Sequence, residues 1–129
     1  MANILVIEDD DSVRATVVRF LERFGHAVSQ AANGRDGLHL FRQNPADVVV
    51  TDIFMPHTDG LEVILEVKKI STSLAVSIPV IAVSGGTVLR DEKSICFLKQ
   101  AKLFGADRVF PKPLDFMGLQ QAILELMPV

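Results

Sequence analysis

Short runs of consecutive apolar residues alternate along this chain with longer stretches in which apolar residues recur every three or four positions. Ile4-Leu5-Val6-Ile7, Val48-Val49-Val50 and Pro79-Val80-Ile81-Ala82-Val83 are of the first kind. Unbroken runs of that length read as strands covered on both faces. The second kind begins after Glu8-Asp9-Asp10. There Val13, Val17, Phe20, Leu21 and Phe24 make one helical stripe, with Arg14, Arg19, Glu22 and Arg23 outside it. Asp11 or Ser12 is the expected N-cap, and Gly25 the expected stop. His26 to Ala31 reads as a second, shorter strand, and Asn33-Gly34 as a turn. A helix from about Arg35 to Gln43 turns Leu38 and Phe41 inward. Another opens at Asp59-Gly60 and runs to about Ile70, with Leu61, Ile64 and Leu65 inward. Ser71 to Ser77 reads as a polar linker. A fourth helix is predicted from about Asp91 to Phe104 and a short fifth strand from Asp107 to Phe110. The last helix, from about Phe116 to Met127, places Leu119, Ile123 and Leu126 on one stripe.

Five strands, each followed by a helix, predict an α/β fold: a (βα)5 doubly wound parallel sheet with helices on both faces. The chain has 129 residues, enough for one domain with a core and too few for two. Residues 1–129 are therefore expected to form a single domain with no output domain after Val129. Apolar residues are 49 % of the chain, which excludes a disordered segment, and the net charge of −3 lacks the basic excess of a nucleic-acid surface. No nucleic-acid partner is expected. The lone Cys96 excludes an internal disulfide and reads as a small packed helix residue. The first strand begins at Asn3 with no signal peptide before it, and no apolar run approaches a membrane span, so a cytoplasmic protein without membrane contact is expected.

Chemistry concentrates where the strands end. The first strand ends in Glu8 and Asp9, the third in Asp52, the fourth in Ser84, and the fifth leads to Lys112. In a parallel sheet these ends share one edge, the edge where open α/β sheets bind ligands. Carboxylates gathered there repel one another unless a cation or a shared proton neutralises them, and a hard divalent cation is the natural solution. A third acid is then free to act as nucleophile, while a hydroxyl and an ammonium hold the oxygens of a bound anion. That combination suits phosphoryl transfer, in which positioning and charge neutralisation dominate.

Four motifs in order carry a family resemblance over essentially the whole chain. They are Ile4-Leu5-Val6-Ile7-Glu8-Asp9-Asp10, Asp52-Ile53-Phe54-Met55-Pro56, Pro79-Val80-Ile81-Ala82-Val83-Ser84-Gly85, and Gly105-Ala106-Asp107 through Lys112-Pro113. The sequence resembles the response-regulator receiver domains of two-component signalling, chemotaxis regulators among them. The resemblance implies a flavodoxin-like strand order 2-1-3-4-5. It implies Asp52 as phosphoacceptor from a histidine-kinase phosphohistidine, and Mg²⁺ held by Asp9, by Glu8 through water, by Asp52 and by the backbone carbonyl of Phe54. It implies that Ser84 and Lys112 hold phosphoryl oxygens and that the Lys112-Pro113 peptide is cis. The implied partners are a sensor histidine kinase or phosphotransfer protein, and a downstream protein bound on the face of the fourth helix, fifth strand and last helix. A receiver excised from a longer regulator or hybrid kinase fits the same motifs. A Mg²⁺-dependent phosphohydrolase would want a further acid two residues after the nucleophile, where Phe54 stands. A phosphorylation-independent binding domain would not need the full set of Glu8, Asp9, Asp52, Ser84 and Lys112.

The chain departs from the family pattern at three places. Val109 stands where an aromatic switch residue is usual, three residues before Lys112, and Phe110 should face the other side of the strand. Gly85-Gly86 opens a long connection to the fourth helix. Ile95-Cys96-Phe97-Leu98 is too wide for one stripe and is expected either to be broadly buried or to form a partner patch. His26, His39 and His57 read as surface or structural residues.

Overall fold

The computed structural model describes residues 2–53, 60–84 and 99–127. The elements are β1 (Asn3–Ile7), α1 (Asp11–Arg23), β2 (Ala27–Ala31), α2 (Gly34–Gln43), β3 (Val48–Asp52), α3 (Gly60–Ser73), β4 (Val80–Ser84), β5 (Arg108–Pro111) and α5 (Phe116–Leu126). Between β4 and β5, residues 99–104 are helical and are termed α4. The five strands form one parallel sheet in the order β2-β1-β3-β4-β5. This is the flavodoxin-like order that the family resemblance implies. The predictions for Phe54, His57, Asp59, Gly85-Gly86 and Ile95 to Leu98 fall outside the described residues.

Side-chain alternation along the strands divides the core into two layers. Leu5 and Ile7 of β1, Val49 of β3, and Val80 and Ala82 of β4 pack with Leu38 and Phe41 of α2, with Ile64 and Val67 of α3, and with Ala101 of α4. Ile4 and Val6, Val48 and Val50, and Ile81 and Val83 pack on the opposite face with Val17, Val18 and Leu21 of α1 and Leu119 and Ile123 of α5. The central strands β1, β3 and β4 are therefore sealed on both faces. This explains their unbroken apolar runs.

Several boundaries differ from the sequence reading, each for a local reason. The N-cap of α1 is Asp10, not Asp11 or Ser12. Its carboxylate accepts the Ser12 N–H at 2.9 Å and the Val13 N–H at 3.0 Å. In a run of three aspartates any could cap, and only the strand end decides which one keeps extended backbone. Asn33 is likewise a cap rather than a turn residue, accepting the Asp36 N–H at 2.8 Å while Gly34 begins α2. The predicted polar linker starts too early, because α3 continues to Ser73. Ser71 Oγ donates to the Val67 carbonyl at 2.7 Å and Thr72 Oγ1 to that of Lys68 at 3.0 Å. Their hydroxyls are satisfied within the helix instead of ending it. Leu65 is 40 % exposed, against expectation. The inward stripe is Leu61, Ile64, Val67 and Ser71, and Val63 is also buried. The fifth strand runs through Pro111 rather than stopping at Phe110.

One polar cluster ties the amino edge of the sheet together. Asp107 accepts the Val80 N–H at 2.8 Å and the Lys68 ammonium at 2.7 Å, and Lys68 also donates to the Ile78 carbonyl at 2.9 Å. Helix α3, strand β4 and the start of β5 thus share one carboxylate. Replacing it strands the N–H of the fully buried Val80. Asp107→Ala is expected to lower the unfolding free energy by about 1–3 kcal/mol, the cost of a buried donor left unpaired. Urea denaturation measures this, and an unchanged midpoint would contradict it.

Candidate functional site

The carboxyl ends of β1, β3, β4 and β5 bring the predicted residues to one place. Glu8 follows β1, with its N–H bonded to the Ala31 carbonyl at 3.1 Å. Asp52 ends β3 opposite Val83, and Ser84 ends β4 opposite Pro111. Lys112 comes next in the chain, and its N–H donates to the Ser84 carbonyl at 2.9 Å. The Lys112-Pro113 peptide is cis. Glu8, Asp52 and Ser84 are buried, Lys112 is partly buried, and Asp9 is exposed. Phe54 lies outside the described residues, so the expected carbonyl ligand is not placed.

Glu8, Asp9 and Asp52 each offer a carboxylate oxygen within 4.8 Å of the others. The Lys112 ammonium contacts Glu8 Oε1 and lies 3.1 Å from Asp52 Oδ2. Among the described residues, two buried side-chain polar atoms have no hydrogen-bond partner: Glu8 Oε2 and Ser84 Oγ. Buried polar atoms are rarely left so, and an unmet pair in a charged pocket marks where a ligand belongs. A cluster of three hard oxygen donors with one unsatisfied carboxylate oxygen fits a hard cation such as Mg²⁺. An unpaired hydroxyl at the same edge fits an anion's oxygen.

The electrostatics follow from this crowding. Burial pushes the Glu8 carboxyl above its ordinary value of 4.5, and its neighbour Asp52 adds to the rise against the opposing pull of Lys112. Burial likewise raises Asp9, with Glu8 contributing. Burial alone would lower Lys112, but its bonds and charge interactions with Glu8 and Asp52 win, and its pKa is raised. One ammonium is shared among acids that it does not fully neutralise.

Other residues resolve differently. His26 is buried and structural. Its Nδ1 accepts the Ala2 N–H at 3.3 Å, and its Nε2 lies 3.0 Å from Gln120 Oε1. His39 is exposed, and His57 and Cys96 are outside the described residues. Val109 packs on the α2–α3 layer and Phe110 on the α1–α5 layer, as strand alternation requires. Two residues that periodicity did not single out support the site. Arg14, assigned to the outer face of its helix, turns Nη1 back onto the Glu8 carbonyl at 2.8 Å. Gly60 closes against the end of β3, its N–H bonded to the Ile53 carbonyl at 3.0 Å. Only the Asp59-Gly60 pair hinted at the second, and nothing in the pattern hinted at the first.

Acids, a hydroxyl and an ammonium lie at the carboxyl edge of a 2-1-3-4-5 parallel sheet, the arrangement of a flavodoxin-like α/β domain. The chain belongs to the response regulator receiver domain family, whose profile matches residues 4–124. It is 34 % identical over 124 residues to the response regulator MprA of Mycolicibacterium vanbaalenii, covering 94 % of this chain and 49 % of that protein. It is 39 % identical over 84 residues to protein PilH of Pseudomonas aeruginosa, covering 65 % of this chain and 68 % of that one. A receiver domain from Clostridium thermocellum superposes with a TM-score of 0.84 at 30 % identity, over 98 % of this chain and 94 % of that one. The match to the transcriptional regulatory protein AfsQ1 of Streptomyces coelicolor covers 31 % of that protein. The chain thus spans half or less of the length of MprA and AfsQ1. Among the described residues no helix is long and apolar enough to cross a membrane.

The raised Glu8 pKa makes a signed prediction for metal-free protein. A carboxyl raised on folding favours the fold while protonated, so its contribution is present below its unfolded pKa, near 4.5, and is lost as pH rises through the folded value. In EDTA, Glu8→Gln should therefore gain stability relative to wild type on going from about pH 5 to about pH 8. Urea midpoints at both pH values test this. A variant whose difference from wild type does not change with pH would contradict it.

Proposed function

We propose that this chain is a phosphorylatable receiver module that takes a phosphoryl group from a histidine-kinase or phosphotransfer-protein phosphohistidine onto Asp52. The observation that carries the reading is the buried Asp52 carboxylate, set among Glu8 and Asp9, beside the Lys112 ammonium and at the edge where the Ser84 hydroxyl lacks a partner. A carboxylate oxygen of Asp52 forms the new bond to phosphorus as the P–N bond of the donor breaks, and that bond's electron pair returns to the imidazole. Lys112 and Ser84 are suited to hold phosphoryl oxygens. Mg²⁺, held by Glu8, Asp9, Asp52 and the Phe54 carbonyl, would supply the positive charge that lets an anionic phosphoryl group approach an anionic nucleophile. The protein is then a phosphoacceptor rather than a turnover enzyme. Its output is a changed protein-binding surface on α4, β5 and α5, where Leu103, Phe104, Met117 and Leu124 are exposed. The same role holds if the receiver forms part of a longer regulator, as the partial coverage of MprA and AfsQ1 suggests.

Intact mass after incubation with acetyl phosphate and Mg²⁺ tests this reading. Wild type should gain one phosphoryl group. Asp52→Ala and wild type in EDTA should gain none. A stable adduct on Asp52→Ala would refute the assignment.

The lifetime of the acyl phosphate is a separate expectation. Hydrolysis needs a water in line with phosphorus, and the residues two after the acceptor and two after the hydroxyl are Phe54 and Gly86. Neither side chain orients water by a hydrogen bond, and a phenyl group shields. Positioning of the attacking group is worth about several kcal/mol in favourable cases, so a long-lived phosphoprotein is expected. Phe54→Asn combined with Gly86→Glu should shorten the half-life. Phosphate release followed after donor removal decides the point, and an equal or longer half-life would refute it.

A further inference from the structure

We propose that Gly60 is a positioning residue for Asp52: the missing side chain at the start of α3 sets where the end of β3, and with it the acceptor carboxylate, can lie. The inference rests on the phosphoacceptor reading of Asp52 and adds to it a residue that would touch neither metal nor phosphoryl group.

Three observations carry it. A Cβ built on Gly60 would lie within 2.8 Å of three backbone atoms: the Asp52 carbonyl oxygen, the Ile53 Cα and the Ile53 carbonyl oxygen. Separations that short are repulsive at any geometry. All three atoms are main chain, so no rotamer change relieves the clash. Secondly, the Gly60 N–H donates to the Ile53 carbonyl at 3.0 Å, which closes the connection between β3 and α3 on itself. Thirdly, the ladders on the two sides of β3 end at different places. Pairing of β1 with β3 stops at Ile7 opposite Thr51, whereas β4 still holds β3 through Asp52 opposite Val83 and the Ile53 N–H on the Val83 carbonyl at 2.9 Å.

The asymmetry decides where an added methyl group acts. Helix α3 is anchored by Leu61, Val63, Ile64 and Val67, all buried in the α2–α3 layer. The body of β3 is paired on both sides. The backbone that a side chain at Gly60 would meet is the Asp52–Ile53 peptide, which is the peptide that carries the acceptor. A side chain at position 60 is therefore taken up as a shift of Asp52 against Glu8, Asp9 and Lys112. Misplacement by about 1 Å is enough to cost two orders of magnitude in a positioned reaction. Gly37 provides a contrast within the fold, since the three atoms nearest its added Cβ all belong to the Ile7 side chain rather than to backbone.

The test compares wild type, Gly60→Ala and Asp107→Ala. The last loosens the fold at the opposite edge of the sheet and leaves the site alone. Mg²⁺ affinity by titration calorimetry, phosphorylation rate by acetyl phosphate and the urea midpoint are measured for all three. Gly60→Ala is expected to bind Mg²⁺ about tenfold more weakly, the scale set by loss of residues that orient metal ligands, and to be phosphorylated more slowly. Asp107→Ala should lose stability and keep wild-type Mg²⁺ affinity and rate. Wild-type values for both in Gly60→Ala, or an equal loss in the two variants, would overturn the inference. Failure of wild type to bind Mg²⁺ or accept phosphate would instead overturn the phosphoacceptor reading. Should Gly60→Ala not fold, amide exchange in wild type decides. Mg²⁺ should slow exchange at Gly60 several-fold while leaving the edge-strand amide of Val28 unchanged. Equal exchange at Gly60 with and without Mg²⁺ would overturn the proposal.

Discussion

Carboxylates crowded at one sheet edge are the constraint on which this structure turns. Glu8 and Asp52 are buried at the carboxyl ends of the neighbouring strands β1 and β3, with Asp9 beside them. Buried acids at that separation favour proton uptake: Glu8 is raised by burial and by Asp52, and Asp9 by burial and by Glu8. Lys112 offsets part of the cost by contacting both Glu8 and Asp52. It does not remove it, because Glu8 Oε2 is left without a partner. A site that stays partly unsatisfied in the protein alone is one that a cation and an anion can complete.

Holding that arrangement requires the rest of the fold. The lysine arrives from the end of β5, two strands away from Asp52, so the acids and the ammonium meet only if β4 separates β3 from β5 in the correct order. Apolar layers on both faces keep the strand ends from shifting along one another. At the amino edge Asp107 joins α3, β4 and the start of β5. At the carboxyl edge Arg14 steadies the Glu8 carbonyl and Gly60 sits against the backbone of Asp52 and Ile53. The two edges of the sheet therefore differ in charge compensation. One edge of the sheet is satisfied and the other is left charged.

Much of this was legible in the chain because it depends on local rules. Unbroken apolar runs marked the buried strands, helical stripes marked α1, α2 and α5, and Gly25 marked the end of α1. Its backbone is indeed left-handed, with φ of 87°. Glu8, Asp9, Asp52, Ser84 and Lys112 were readable as one set because a parallel sheet delivers every strand end to the same side. Errors arose where a residue type serves two purposes. Asn33 beside Gly34 predicts a turn but caps a helix, Ser71 predicts a linker but bonds within α3, and Leu65 predicts core but is exposed because its neighbours fill the stripe.

The sequence by itself determined which segments are strands and helices and which residues could carry charge chemistry, since those follow from periodicity and from position after a buried strand. Only the tertiary structure decided how the charges divide. That Lys112 reaches Glu8 as well as Asp52, that Glu8 is buried while the adjacent Asp9 is exposed, and that Ser84 Oγ has no partner depend on distances between strands far apart in the chain. The close approach of Gly60 to the Asp52–Ile53 backbone is of the same kind. The physical reason is that hydrophobic patterning specifies which face is buried, whereas burial of a charge and its compensation are set by neighbours that the pattern does not name.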